Sequence, residues 1–160
     1  MKNEVLFNKD ELEYVDSLWF DDKVKLFDDR LYMSCYMQET IITTKLLKWF
    51  ENKTGEHLKH YNLNLILHRY EPGCYFGKHV DNGIDYNKNR LYTIGFHLIS
   101  EYEGGEYILY NPYSIVDKTP GVPYLNKASI EHEVTPITNG LRKSALIFIE
   151  INDLIKKNLV

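Results

Sequence analysis

The residues best suited to chemistry lie in Arg69-Tyr-Glu-Pro-Gly-Cys-Tyr-Phe-Gly-Lys-His-Val-Asp81, which ends on an imidazole and a carboxylate two positions apart. In an extended segment, side chains two residues apart share a face. At about 3.3 Å rise per residue, the Cβ atoms of His79 and Asp81 start about 7 Å apart, near enough for both side chains to converge on one ion. Two ligands hold a metal loosely, and His132, in Ile-Glu-His-Glu-Val, is the best third. Two histidines and one carboxylate form the facial set that leaves open positions on ferrous iron for a substrate and dioxygen. The alternative for the three is a salt-bridged cluster. His57, His60 and His68 have ordinary surface or hydrogen-bonding explanations and are assigned no role.

Arg142 lies ten residues beyond His132, with Ser144 two further on. Both fall in an extended stretch and share a face. A guanidinium beside a hydroxyl is a good carboxylate receptor, bidentate through the arginine. A plain two-residue hairpin at Asn139-Gly140 would pair Arg142 with Ile137 and turn it away from His132. Pro136 also cannot donate in such a ladder. The chain is therefore expected to bulge or change sheets near Pro136, so that both side chains reach one interior.

These residues need a frame. Asn8-Lys-Asp-Glu11 reads as a capping box before Leu12, Val15, Leu18 and Trp19 at helical spacing. Val24 to Phe27 and Leu31 to Tyr36 read as short strands. Gln38 to Lys53 is the strongest helix, with Ile42, Leu46, Trp49 and Phe50 as one apolar stripe and Gly55 as its stop. From Asn62 onward the chain turns β. Strands are expected at 62–70, 91–99, 106–110, 124–125, 130–134 and 141–151, with Glu103-Gly-Gly105 a turn. Asn152 onward is a short final helix or a frayed tail. The pattern predicts one mainly β domain over 1–160, a sandwich or barrel with N-terminal helices on one side. Residues 1–60 serve as helical support with short strands, and 61–151 form the catalytic core.

A chain of 160 residues with 44% hydrophobic content suits one folded domain. Its net charge of −4 gives no electrostatic reason to expect nucleic acid. No segment has signal-peptide or membrane-span character, so no membrane partner is expected. Cys35 and Cys74, far apart and outside any CxxC spacing, read as free thiols in a reducing cytoplasm. Tyr75, Phe76, Tyr92, Phe96, Tyr107 and Tyr110 are expected in the core. The loops 82–90 and 111–122 are expected to border the mouth of the site, where their polar residues meet substrate or only water.

The chain resembles the prolyl 4-hydroxylase-like (PKHD-type) branch of the Fe(II)/2-oxoglutarate dioxygenases over roughly 62–150. Tyr70-Glu-Pro-Gly-Cys-Tyr-Phe-Gly-Lys-His-Val-Asp is similar to that family's Tyr, Pro-Gly and HxD run, and Glu103-Gly-Gly to its Gly-Gly turn. Pro120-Gly121 precedes His132 as a glycine often precedes the family's distal histidine. His132-Glu-Val-Thr-Pro-Ile-Thr-Asn-Gly-Leu-Arg142 is similar to the HxVxPVTxGxR signature. The resemblance implies a double-stranded β-helix (a jelly-roll or cupin-like barrel) with His79, Asp81 and His132 ligating Fe(II). It implies Arg142, with Ser144, for the distal carboxylate of 2-oxoglutarate, and Tyr70 as a hydrogen-bond partner of that cosubstrate. His97 stands where relatives often carry a tyrosine that touches the cosubstrate, and either takes that contact or faces outward. Glu71 and the tract 110–119 have no clear counterpart.

The implied activity is hydroxylation of an unactivated C–H bond with dioxygen, releasing succinate and CO2. Asp81 favours this outcome, because halogenating relatives lack the carboxylate. The substrate is a small molecule or a peptide: a prolyl residue, a free amino acid or a small metabolite. Two other functions use the same residues. One is a non-catalytic cupin-like metal-binding or sensor domain; the other is a nucleic-acid demethylating dioxygenase, which the acidic balance disfavours. Oligomeric state is not readable from the sequence.

Overall fold

The computed structural model describes residues 4–20, 24–27, 32–57, 64–84 and 86–151. Helix α1 (Lys9–Ser17) begins where Asn8 accepts from the Glu11 backbone N–H and Glu11 accepts from the Asn8 N–H, the expected reciprocal cap. Strands β1 (Val24–Phe27) and β2 (Tyr32–Gln38) follow. Helix α2 (Ile41–Thr54) starts three residues later than its apolar period suggests. The Glu39 carboxylate accepts from the backbone N–H groups of Ile41, Ile42 and Thr43, so the first turn forms only beyond it. Gly55 ends α2 in the left-handed conformation at φ +73°.

The remaining strands are β3 (Asn64–Tyr70), β4 (Phe76–His79), β5 (Arg90–His97), β6 (Tyr102–Gly104), β7 (Tyr107–Leu109), β8 (Ser114–Ile115), β9 (Pro123–Lys127), β10 (His132–Val134), β11 (Ile137–Gly140) and β12 (Arg142–Glu150). They form a six-stranded sheet β1-β2-β3-β12-β5-β9, a four-stranded sheet β4-β10-β7-β8 and a pair β11-β6. Every pairing is antiparallel. The mainly β reading with helices at the N-terminus therefore holds. Because β2 pairs directly with β3, the first sixty residues also supply strands to the central sheet. The readings at His60, Leu63, Asp85 and Asn152 onward lie outside the described residues.

The conflict at Pro136 resolves as a change of sheet. Strand β10 pairs with β4 and β7, β11 pairs with β6, and β12 pairs with β3 and β5. No hairpin forms at Asn139-Gly140: Gly140 takes φ +77° and the chain passes to the other sheet. Ile42, Leu46 and Phe50 of α2 pack with Leu12 and Val15 of α1 on Leu65, Leu67, Ile94, Phe96, Ala145 and Ile147. Trp49 joins that cluster only partly buried. At 25 cal/mol per Å², each such side chain taken from water contributes about 1.5–3 kcal/mol, which makes this face the main support of the fold.

Candidate active site

The opposite face of the six-stranded sheet closes a cavity with the four-stranded sheet. Period-2 alternation sends Arg142, Ser144, Leu146 and Phe148 of β12 to that cavity, with Tyr36, His68 and Tyr70 from β2 and β3 beside them. From the other sheet come Phe76, His79, Tyr107, His132 and Val134. Gly95 leaves room for Tyr124, whose hydroxyl would otherwise collide with a Cβ on β5.

His79 and His132 are directly opposite in the β4–β10 ladder, which brings two residues 53 positions apart to one point. Asp81 is not in the strand as the spacing suggested. It follows β4 in a turn, with its backbone N–H donating to Ala128 at 2.8 Å. Its carboxylate nevertheless converges on both rings, with Oδ1 3.4 Å from His79 Nε2 and 3.5 Å from His132 Nε2. One ligand atom from each of the three lies within 4.8 Å of the others.

The surrounding groups fix how these atoms point. Nδ1 of His79 lies 2.8 Å from the Gly77 carbonyl, and Nδ1 of His132 lies 2.8 Å from that of Ile130. With Nδ1–H donating there, each Nε2 is turned towards Asp81, the arrangement that orients imidazoles towards a metal. The Thr93 hydroxyl donates to Asp81 Oδ2, leaving Oδ1 for the centre. Phe76 stacks on His79 at 3.6 Å between ring centroids, and Tyr107 meets His132 edge-on at 5.3 Å.

Burial alone would raise the Asp81 carboxyl, but bonding to His132 and His79, the His132 charge and Thr93 hold it far below the usual range. Burial also lowers His79. It acts the same way on His132, where Asp81 outweighs it and leaves that imidazole raised. A carboxylate kept ionised beside two imidazoles whose Nε2 atoms point inward is a donor set that fits ferrous iron, which would take the place of any Nε2 proton.

Arg142 occupies another part of the cavity wall and is 2% exposed. Its Nη1 donates to Ser144 Oγ at 3.2 Å, and Nη2 meets His97 Nε2 at 3.1 Å. Tyr70, its register partner on β3, turns its ring to the guanidinium, 5.0 Å from Cζ. His97 therefore faces inward. Burial and then the Arg142 charge push its pKa down to about 3, so it stays neutral and accepts from the arginine. Among the described residues no carboxylate pairs with Arg142, and its Nε is buried without a partner.

Two readings need correction. His68, given no role, lines the cavity. Phe76 and Tyr107 lie in the core as expected and line the cavity as well. Tyr86 and Arg90 of the loop 82–90 reach the cavity, but no residue of 111–122 does. That second loop braces the fold instead: Lys118 bonds the Gly104 carbonyl and Glu106, and the Gly121 carbonyl accepts from Leu6 and Phe7. Thr93 was missed altogether. Its alternation with Gly95 and His97 on β5 carries the signal, but only once Asp81 is known to lie alongside.

Known proteins with related sequences or structures agree with this picture. No family model matches the chain. A PKHD-type hydroxylase of Burkholderia ambifaria is 30% identical over 94 residues, which are 53% of this chain and 41% of that protein. One from Methylobacillus flagellatus is 32% identical over 95 residues, 53% and 42% of the two chains. The match thus spans less than half the length of these relatives. Among solved structures, an oxidoreductase of the 2OG-Fe(II) oxygenase family from Burkholderia pseudomallei superposes with a TM-score of 0.78 at 15% identity. It covers 94% of this chain and 83% of its own. A viral collagen prolyl hydroxylase from Paramecium bursaria Chlorella virus-1, in complex with 2OG, gives 0.73 at 17% identity over 94% of both chains. At these identities the structures share the fold, which is the double-stranded β-helix of the 2OG oxygenases. The resemblance to PKHD-type hydroxylases is borne out.

Proposed function

We propose that this chain is a dioxygenase that uses ferrous iron, 2-oxoglutarate and dioxygen to hydroxylate an unactivated C–H bond, releasing succinate and CO2. The substrate is a prolyl residue, a free amino acid or a small metabolite, and no nucleic acid or membrane takes part. Among the described residues no helix is long and apolar enough to cross a membrane, and a cytoplasmic location suits a ferrous centre.

The observation that carries this reading is the Arg142 guanidinium, buried in the wall of the cavity that the three ligands line, with no counter-ion among the described residues. An unpaired buried cation costs several kcal/mol, and a ligand carboxylate offsets that cost. His79, Asp81 and His132 would hold the iron, which supplies the dioxygen activation that no side chain here performs. Arg142 and Ser144 Oγ would hold the distal carboxylate of the keto diacid. Neutral His97 keeps the guanidinium in place without competing for that anion. Tyr70, at 1% exposure, closes the wall beneath it and is the candidate for a further bond to the cosubstrate. Phe76 and Tyr107 hold the imidazoles and keep water away from them.

The test is succinate formation from 2-oxoglutarate without added substrate. It should require Fe(II) and disappear in His79→Ala. Succinate formation that persists without iron, or that survives this substitution, contradicts the proposal.

A further inference from the structure

Beside the cavity lies a second space. A space of about 60 Å³ bounded by Tyr36, Asn64, Ile66, Arg90, Phe148 and Glu150 shares Tyr36, Arg90 and Phe148 with the space of about 110 Å³ that holds the three ligands. Arg90 reaches this junction through a local irregularity. Down the β12–β5 ladder, Phe148 pairs with Thr93 and Ile149 with Tyr92, but Glu150 then pairs with Arg90, skipping Leu91. The bulge turns Arg90 to the cavity face, where regular alternation would have put Leu91. Bulges that re-aim one side chain beside a site are a recurring device.

Arg90 is tied down on three sides. Its Nη1 donates to the backbone carbonyl of Asp81 at 3.4 Å, its Nε to Glu150 Oε1 at 3.3 Å, and its Cζ stacks 3.7 Å from the centre of the Phe148 ring. The side chains of Arg90 and Glu150 are each 19% exposed. Among the described residues, Nε to Oε1 is the one hydrogen bond that joins them. Among the described residues, Arg90 Nη2 and Glu150 Oε2 are left for another partner.

We propose that this pair receives the head group of a free α-amino acid, its carboxylate on Arg90 and its ammonium on Glu150. The inference rests on the dioxygenase reading and names its substrate class. A zwitterion completes an alternating ring of four charges without separating the existing pair. At about 10–15 Å³ per water-sized group, a space of about 60 Å³ holds about four to six such groups, the size of an ammonium, an α-carbon and a carboxylate. A residue inside a peptide would bring neutral amides to both charges and would need chain on two sides. Because Arg90 is bonded to the main chain of Asp81 and lines both spaces, an amino acid held there would lie beside the proposed iron site.

The test is calorimetry of the protein loaded anaerobically with Fe(II) and 2-oxoglutarate. Each common amino acid is titrated in turn, then the N-acetyl and carboxamide forms of the best binder and short peptides containing it. At least one free amino acid should bind, with each capped form about 10–100-fold weaker, as expected for losing one charge-assisted contact. Glu150→Gln should erase the discrimination against N-acetylation, Arg90→Gln that against the carboxamide, and Arg90→Lys should retain part of it. A purely structural ion pair would leave these ratios unmoved. The proposal is overturned if no free amino acid binds, if capped forms or peptides bind as well, or if neither Gln variant changes the ratios. Titration of 2-oxoglutarate into the protein loaded anaerobically with Fe(II) alone judges the dioxygenase reading separately: its heat without any from amino acids overturns the substrate assignment alone.

Discussion

Along β12, Ala145, Ile147 and Ile149 turn to the helices and join a cluster with Leu46 and Phe50, whereas Arg142, Ser144, Leu146 and Phe148 turn to the cavity. The same nine residues thus build two surfaces with opposite economies. The helix face is apolar and packed. The cavity face buries a guanidinium, hydroxyls and imidazoles, and leaves Arg142 Nε and Ser34 Oγ without hydrogen-bond partners among the described residues. Buried polar groups in that condition cost stability. The helix face supports the molecule, and the cavity face draws on that support to keep a receptor open. Substitutions on the two faces should therefore separate stability from binding.

The largest stability loss is expected on the helix face. Ile147→Ala, at a fully buried position, should cost about 2–5 kcal/mol in urea unfolding, with 2-oxoglutarate affinity unchanged in the folded fraction.

A somewhat smaller effect belongs to His97 on the cavity face and depends on pH. Its folded pKa of about 3 lies below its unfolded value near 6.5, so the unfolded chain binds the extra proton between the two. No penalty exists above pH 6.5, and stability falls as pH drops towards 3. At 1.36 kcal/mol per unit, acidification to pH 4.5 should cost about 2–3 kcal/mol through this residue. Arg142, Lys118 and Asp117 are the charges around it. His97→Gln should flatten that part of the stability curve; an unchanged slope would mean that His97 is not held neutral.

Thr93→Val removes the donor to Asp81 Oδ2 and should weaken Fe(II) binding about 10–100-fold, read by competition with a chelator. The smallest change is far from the cavity. Asn8→Ala breaks the α1 cap and should cost about 1 kcal/mol, with no effect on metal or cosubstrate affinity.

The two faces also differ in how far the sequence revealed them. Alternation and helical periodicity carried the helix face, because apolar burial is a local pattern. On the cavity face, His79, Asp81, His132 and Arg142 were legible from residue type and spacing. The change of sheet at Pro136 followed from a conflict between their faces. What the sequence did not show depends on pairing across long separations. Thr93 matters because β5 passes Asp81, and His68 lines the cavity because it pairs with Ser34 and Ser144. Arg90 turns inward because the ladder slips by one residue. The loop 111–122 looked like a rim from its polarity, yet its Lys118 is spent on Glu106 and the Gly104 carbonyl.

The central claim is that the cavity face holds a receptor for a dicarboxylate built around one buried guanidinium that has no carboxylate partner among the described residues. Calorimetric titration of 2-oxoglutarate into the anaerobic Fe(II) protein, wild type against Arg142→Met, tests it most directly. The expected loss is about 2–5 kcal/mol, or about 30- to 4000-fold in affinity, in a variant at least as stable as the wild type. Equal affinity in the two proteins, or a variant that loses stability and keeps binding, would contradict it.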